Sequence, residues 1–213
     1  VEDYGWLTDT RDKQIYKTVK IGDQVWMAEN LNYSVNPGEQ SSCGGGEAGT
    51  KNEGDCSVYG RLYTWAAAID SVALANDADN SQTCGYGRTC TLPTVVQGVC
   101  PDGWHLPTYN EWKTLINAVG GFSKAGPALK SGSGWYSNGN GEDAYGFSAL
   151  PAGLRYSSGG FHNEGLSAFF WSASQGEGGS YGAYRMFLGY DDENVDLYNY
   201  GKYDGFSVRC LQN

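Results

Sequence analysis

TYNEWKTLINAVGG, residues 108–121, is the stretch that decides the fold class. Thr108 and Glu111 have the spacing of a capping box, in which each side chain satisfies an orphan amide at a helix start. Trp112, Leu115, Ile116 and Val119 then recur on one helical face. Gly120-Gly121 supplies a left-handed stop. Pro107 ahead of the cap fixes the approach to the helix. Upstream, RLYTWAAAIDSVALA (61–75) carries Leu62, Trp65, Ala66, Ile69, Val72 and Ala73 at helical spacing, which predicts a second helix.

Outside these helices the period changes. In QIYKTVKIGDQVWM (14–27), Ile15, Val19 and Ile21 share a parity with Val25 and Met27, and Gly22-Asp23 predicts a tight hairpin between the halves. After residue 131, short apolar runs alternate with glycine-rich turns: Tyr145–Leu150, Ala168–Ala173, Tyr184–Leu188, Val195–Tyr200 and Phe206–Cys210. They predict an antiparallel sheet. Helices first and strands later give an α+β class. Residues 34–57 and 76–100 are polar, glycine-containing excursions, and residues 1–213 are expected to form one domain.

The chain has 213 residues and a net charge of −10, so it is expected to bury a core of its own and to bind no nucleic acid, whose phosphates need clustered cations. No apolar run is long enough to span a membrane. No leader is visible at Val1, and the chain is expected to begin after a processed or trimmed one. Its six cysteines include no C-x-x-C pair, which argues for disulfides and an oxidising compartment over zinc. Proximity suggests Cys43–Cys56 and Cys84–Cys90, leaving Cys100 with Cys210. That last bridge closes a long loop and contributes about 4–5 kcal/mol in the chain-entropy account.

Six segments in order carry a resemblance: DQVWMAENLNY (23–33), YGRLYTWAAA (59–68), GVCPDGWHLPTYNEW (98–112), GFSALPAGLR (146–155), FWSAS (170–174) and FSVRC (206–210). Together they resemble the Fibrobacter succinogenes major paralogous domain, which implies a secreted or cell-surface location. WHLPTYNEW followed by an antiparallel region ending in SVRC is also similar to the C-type-lectin-like fold and to the formylglycine-generating enzyme domain. This second likeness implies two helices packed on a twisted antiparallel sheet, with long disulfide-stapled loops. It also implies a bridge from Cys100 to Cys210, in agreement with the pairing by proximity. The sugar-and-calcium tripeptides of C-type lectins are absent, so that kind of sugar site is not carried over.

The chemistry favours binding over catalysis. Pyranose rings present apolar faces that stack on aromatic rings. Trp135 and Tyr136 stand in the loop SGSGWYSNGNG, and Tyr156 and Tyr181 stand beside turns, as do Tyr190, Tyr198, Tyr200 and Tyr203. Trp135, Tyr136, Tyr156 and Tyr181 are the expected carbohydrate-binding residues. Asp191, Asp192, Glu193 and Asp196 offer oxygen ligands for Ca2+, and NGNGED (138–143) is a second oxygen-rich stretch. Trp26, Trp65, Trp104, Trp112 and Trp171 are assigned to the core, and His105 to a structural hydrogen bond. Neither His105 nor His162 sits in a catalytic motif, G-x-S-x-G is absent, and bridged cysteines exclude a reactive thiol. No catalytic residue is assigned. The expected function is a surface module that binds polysaccharide or glycan. The alternative is an assembly scaffold with protein partners.

Overall fold

The computed structural model describes residues 4–35 and 40–213. Strands β1 (Gly5–Thr8), β2 (Ile15–Ile21), β3 (Gln24–Met27) and β4 (Ser41–Cys43) come first. Next come α1 (Cys56–Tyr59), β5 (Arg61–Tyr63), α2 (Trp65–Ala68), α3 (Ser71–Ala75), β6 (Trp104–His105), α4 (Tyr109–Ala118) and α5 (Ala125–Leu129). The remainder is β7 (Leu154–Arg155), β8 (Phe161–His162), β9 (Ser167–Gln175), β10 (Gly182–Gly189), β11 (Val195–Gly201), β12 (Phe206–Ser207) and β13 (Leu211–Gln212). Mixed sheets with few, short helices make this an α+β-like chain.

One sheet has the order β1-β2-β3-β13-β6, a second has β11-β10-β9-β12-β5-β4, and β7 pairs with β8. Ile21 faces Gln24 across Gly22-Asp23, and Gly22 has a φ of 60°, so the expected two-residue hairpin is present with its glycine first. The last expected strand, Phe206–Cys210, is divided. Phe206 and Ser207 pair with β5, the chain then crosses over, and Leu211 pairs with both β3 and β6 in the other sheet.

The helix at 108–121 forms as read. Thr108 Oγ1 accepts from the Glu111 amide and Glu111 Oε2 accepts from the Thr108 amide. Trp112, Leu115, Ile116 and Val119 are all buried. Two other expectations need correction. Residues 61–75 are not one helix: Arg61–Tyr63 is a strand between β4 and β12, and the rest is two short helical turns. Thr64 starts the first turn, and Asp70, at a φ of 52°, breaks the chain and caps the second. Residues 145–150 form no strand. Ser148 lies at a φ of 53°, held by Asp143, whose carboxylate accepts from its amide and hydroxyl. The expectation of two helices on one antiparallel sheet therefore gives way to one ten-residue helix, four shorter segments and two principal sheets.

β9, SAFFWSASQ, explains where the core lies. Seven of its nine residues are buried, because each of its faces meets a different apolar cluster. Ala168 and Phe170 join α4, Trp26, Phe147 and Met186. Phe169, Trp171 and Ala173 join Trp65, Phe206 and Trp104. A strand covered on both faces reads as a continuous apolar run. The five tryptophans assigned to the core are all buried.

The three bridges are Cys43–Cys56, Cys84–Cys90 and Cys100–Cys210. Of the expected 34–57 excursion, residues 36–39 lie outside the described residues. At the crossover beside Cys210, the fully buried Arg209 donates to Asn30 Oδ1 at 2.7 Å, the Met27 carbonyl at 3.2 Å, the Ser148 carbonyl at 2.9 Å and the Phe147 carbonyl. No described carboxylate pairs with it, so four neutral acceptors carry the desolvated charge.

Candidate functional site

The expected aromatic residues do not gather in one place. Trp135 is 5% exposed and belongs to the core, which corrects its placement as a surface ring. Its indole N–H donates to Ser131 Oγ and the Ala149 carbonyl, both at 3.1 Å, and its ring lies 5.3 Å from Lys130 Nζ. The glycines and serines around it form the loop, but the ring turns inward because acceptors and a cation await it there. Tyr136 is exposed and packs on Tyr190 with ring centres 5.5 Å apart. Tyr156 is half-buried against His162. Only Tyr181 reaches an aromatic cleft.

That cleft joins three segments. The Cys84–Cys90 bridge closes the tight loop CGYGRTC, in which Gly85 and Gly87 have φ of 131° and 76° on either side of Tyr86. Such angles favour glycine. The second segment is the turn joining β9 to β10, which ends at Tyr181. The third is Gly201–Asp204, the last residue of β11 and the turn that follows it. Tyr86 lies 5.1 Å from Tyr181 and 4.5 Å from Tyr203, centre to centre, with interplanar angles of 63° and 68°. The three rings are 53%, 64% and 42% exposed. With Gly182, Asn199, Tyr200 and Gly201 they line a cleft of about 340 Å³.

Lys202 holds the cleft from below. It is almost wholly buried, and its Nζ donates to the Gly85 carbonyl at 3.3 Å, the Arg88 carbonyl at 2.9 Å, Gln175 Oε1 at 3.1 Å and the Gly179 carbonyl. One ammonium thus ties both flanks of Tyr86 to the turn before Tyr181. The same Nζ lies 4.3 Å from the centre of the Trp65 ring. Burial pushes its pKa down to about 8. The two loops also bind each other directly. The Gly87 amide donates to the Ser180 carbonyl at 2.8 Å, the hydroxyls of Thr89 and Ser180 lie 3.0 Å apart, and Gln175 Nε2 donates to the Cys90 carbonyl.

The phenol hydroxyls of the cleft are open. None of the hydroxyls of Tyr86, Tyr181 and Tyr203 has a hydrogen-bond partner among the described residues, whereas the Tyr16 hydroxyl accepts from the Asn32 amide and the Tyr63 hydroxyl donates to the Tyr33 carbonyl. Asn199 Oδ1 is buried without a donor. The Asn199 carboxamide lies so close to Gly176 and Gly182 that a Cβ on either would collide with it. Tyr86 was not among the expected binding residues. An aromatic residue in a cysteine loop that encloses only five residues, with a glycine on each side, is the signal that marks it.

The acidic stretch is also corrected. Among the described residues no group of three or more His, Cys, Asp or Glu is placed to hold an ion. Asp192 Oδ1 accepts from the amide and side chain of Asn194, while Asp196 pairs with Arg185 at 3.1 Å on the next strand. Asp191, Asp192 and Glu193 border a cleft shared with Asn138 and Asn140. There the Lys130 ammonium, bonded to the Gly189 and Asp192 carbonyls at 3.0 and 3.2 Å, already supplies a cation. His105 has a structural setting, with Nδ1 2.7 Å from Asn213 Oδ1 and Nε2 3.0 Å from Glu111 Oε1. The hydrogen bond to Glu111 raises its pKa.

The family model of the Fibrobacter succinogenes major domain matches residues 19–212, which include every segment of the cleft. No curated protein and no solved structure matches the chain. The disulfides, and the lack of any described helix long and apolar enough to cross a membrane, are compatible with an extracytoplasmic location.

Proposed function

We propose that this chain, which belongs to the Fibrobacter succinogenes major domain family, is a secreted or cell-surface module that binds polysaccharide or glycan at the tyrosine cleft. The observation that carries this reading is the set of three exposed, mutually packed tyrosines whose hydroxyls are all unpartnered. Tyrosine offers a large rigid face at low entropic cost together with a polar tip, as recognition surfaces require. A sugar ring stacks its C–H face on one phenol ring while its hydroxyls bond the remaining phenols. The proposed role is binding, and no catalytic residue is assigned.

The same proposal takes residues 1–213 as one domain of C-type-lectin-like fold. Its support is the Cys100–Cys210 bridge, which ties the segment ahead of α4 to the segment ahead of the last strand. The test of function is a polysaccharide and glycan-array screen of the oxidised protein, with calcium and with chelator. Retention that survives chelator and is lost in Tyr86→Ala supports the reading. Retention that depends on calcium, or is indifferent to Tyr86, contradicts it.

One observation favours the scaffold alternative. β1 is an edge strand, and Trp6 and Ile15, on the exposed face that it shares with β2, are more than half exposed. An open apolar edge is suited to adding a strand from a protein partner. Sedimentation over a range of concentrations tests self-association at this edge, which Trp6→Lys would abolish.

A further inference from the structure

We infer that the tyrosine cleft takes a single, separate, uncharged glycan chain and not the flat face of a crystalline polysaccharide. This rests on the glycan reading above and narrows its substrate class.

The first argument is the angle between the rings. A crystalline polysaccharide presents a plane, and a protein that lies on it needs aromatic faces sharing one plane. Tyr86 stands at 63° to Tyr181 and at 68° to Tyr203. Whichever ring lay flat on a planar lattice, at least one neighbour would stand steeply to that plane and could not lie on it as well. A corner of rings suits a free chain, which can place the face of one sugar on one ring and turn its edge towards the next. The second argument is size. The cleft, at about 340 Å³, falls at the low end of the roughly 300–1,000 Å³ typical of small-ligand sites. It therefore holds a short stretch of one chain.

The third argument is charge. Tyr86, Tyr181, Gly182, Asn199, Tyr200, Gly201 and Tyr203 line the cleft, and none carries a charge. The cation nearest in sequence, Lys202, is buried and engaged with four acceptors beneath the floor. A uronate chain would find no counter-charge in the lining, while a neutral chain would find the three phenol hydroxyls.

The experiment compares three probes with the oxidised protein. They are soluble neutral polysaccharides (xyloglucan, mixed-linkage glucan and glucomannan) by affinity electrophoresis, polygalacturonate by the same method, and microcrystalline cellulose by sedimentation. Each is run at low and high salt, with Tyr86→Ala and Tyr181→Ala as controls. The expected result is retardation by at least one neutral soluble chain, unchanged by salt and weakened about tenfold or more by either substitution. Retention on microcrystalline cellulose that depends on Tyr86 overturns this inference and leaves the glycan reading standing. A preference for polygalacturonate that fades with salt does the same. Binding to none of the three overturns both.

Discussion

Two glycine-rich loops of this protein each carry an aromatic residue and each rest on a buried lysine, yet they present opposite faces to solvent. In residues 131–141 the ring of Trp135 turns inward onto Lys130, and its indole N–H finds two acceptors below. In residues 84–90 the space below is already filled. Lys202 has taken Trp65 as its aromatic partner and draws the Gly85 and Arg88 carbonyls inward, so the Tyr86 side chain is left outside. Glycine and serine around an aromatic residue thus identify a loop and say nothing of the direction of the ring. Direction depends on whether the interior offers the ring partners, and those come from residues distant in sequence, here 149 in one case and 202 in the other.

The largest expected effect separates the two lysines. Lys202→Met removes the donor from four acceptors, of which Gly85 and Gln175 keep a backbone amide while the Arg88 and Gly179 carbonyls are orphaned, and a buried group so orphaned costs roughly 1–3 kcal/mol. Allowing for relaxation of the loops, the variant should lose about 3 kcal/mol or more of stability and its glycan retention as well. Lys130→Met should lose comparable stability in urea melts while the retention of its folded fraction stays intact. Equal retention in both variants would break the comparison.

Next come the aromatic residues themselves. Trp135→Ala should cost about 3–5 kcal/mol, as emptying a packed site does. Tyr86→Ala should stay within about 0.5 kcal/mol of the parent, as surface changes do. Similar losses would mean that Tyr86 is part of the packing. A smaller effect is expected from the double substitution Cys84→Ser/Cys90→Ser. It frees a loop that Gly87, Thr89 and Cys90 still anchor to the 175–180 segment. Retention should weaken several-fold with little change in melting temperature, which sharpens the claim that the bridge serves the cleft.

The last effect concerns pH. Burial raises the pKa of Asp204, next to Tyr203, from 3.8 to about 6. The folded state therefore holds this proton more tightly than the unfolded state does. The resulting stability is fully present below about pH 4 and is lost as pH rises through 6. Asp204→Asn removes the charge, so its melting temperature should exceed that of the parent at pH 7.5, with the gap closing towards pH 4. A gap that widened on acidification would reverse the sign.

Much of the scaffold was legible in the residues. The capping box at Thr108, the Gly22-Asp23 hairpin, the strands at 168–173, 184–188 and 195–200 and the bridges Cys43–Cys56 and Cys84–Cys90 follow from local spacing or small separations, while Cys100–Cys210, 110 residues apart, followed as the pair left over. Residues 61–75 misled, because Leu62 and Trp65 have helical spacing while Thr64 and Asp70 break the chain between them. The apolar run at 145–150 misled in a similar way, since the positive φ of Ser148 and its ties to Asp143 replace strand pairing. Of the candidate site, Tyr181 was legible as a turn aromatic. Tyr203 was legible in the same way, but the meeting of both with Tyr86 was not, because it arises only through long-range folding over Lys202.

The most direct measurement of the central claim is affinity electrophoresis of the parent, Tyr86→Ala and Tyr136→Ala, side by side on soluble neutral polysaccharide. Tyr136 is the fair control, being 62% exposed on the loop that carries Trp135. The account predicts that Tyr86→Ala runs as though no polysaccharide were present, while Tyr136→Ala is retarded like the parent. Retardation kept by Tyr86→Ala and lost by Tyr136→Ala would move the site to the other loop and contradict the account.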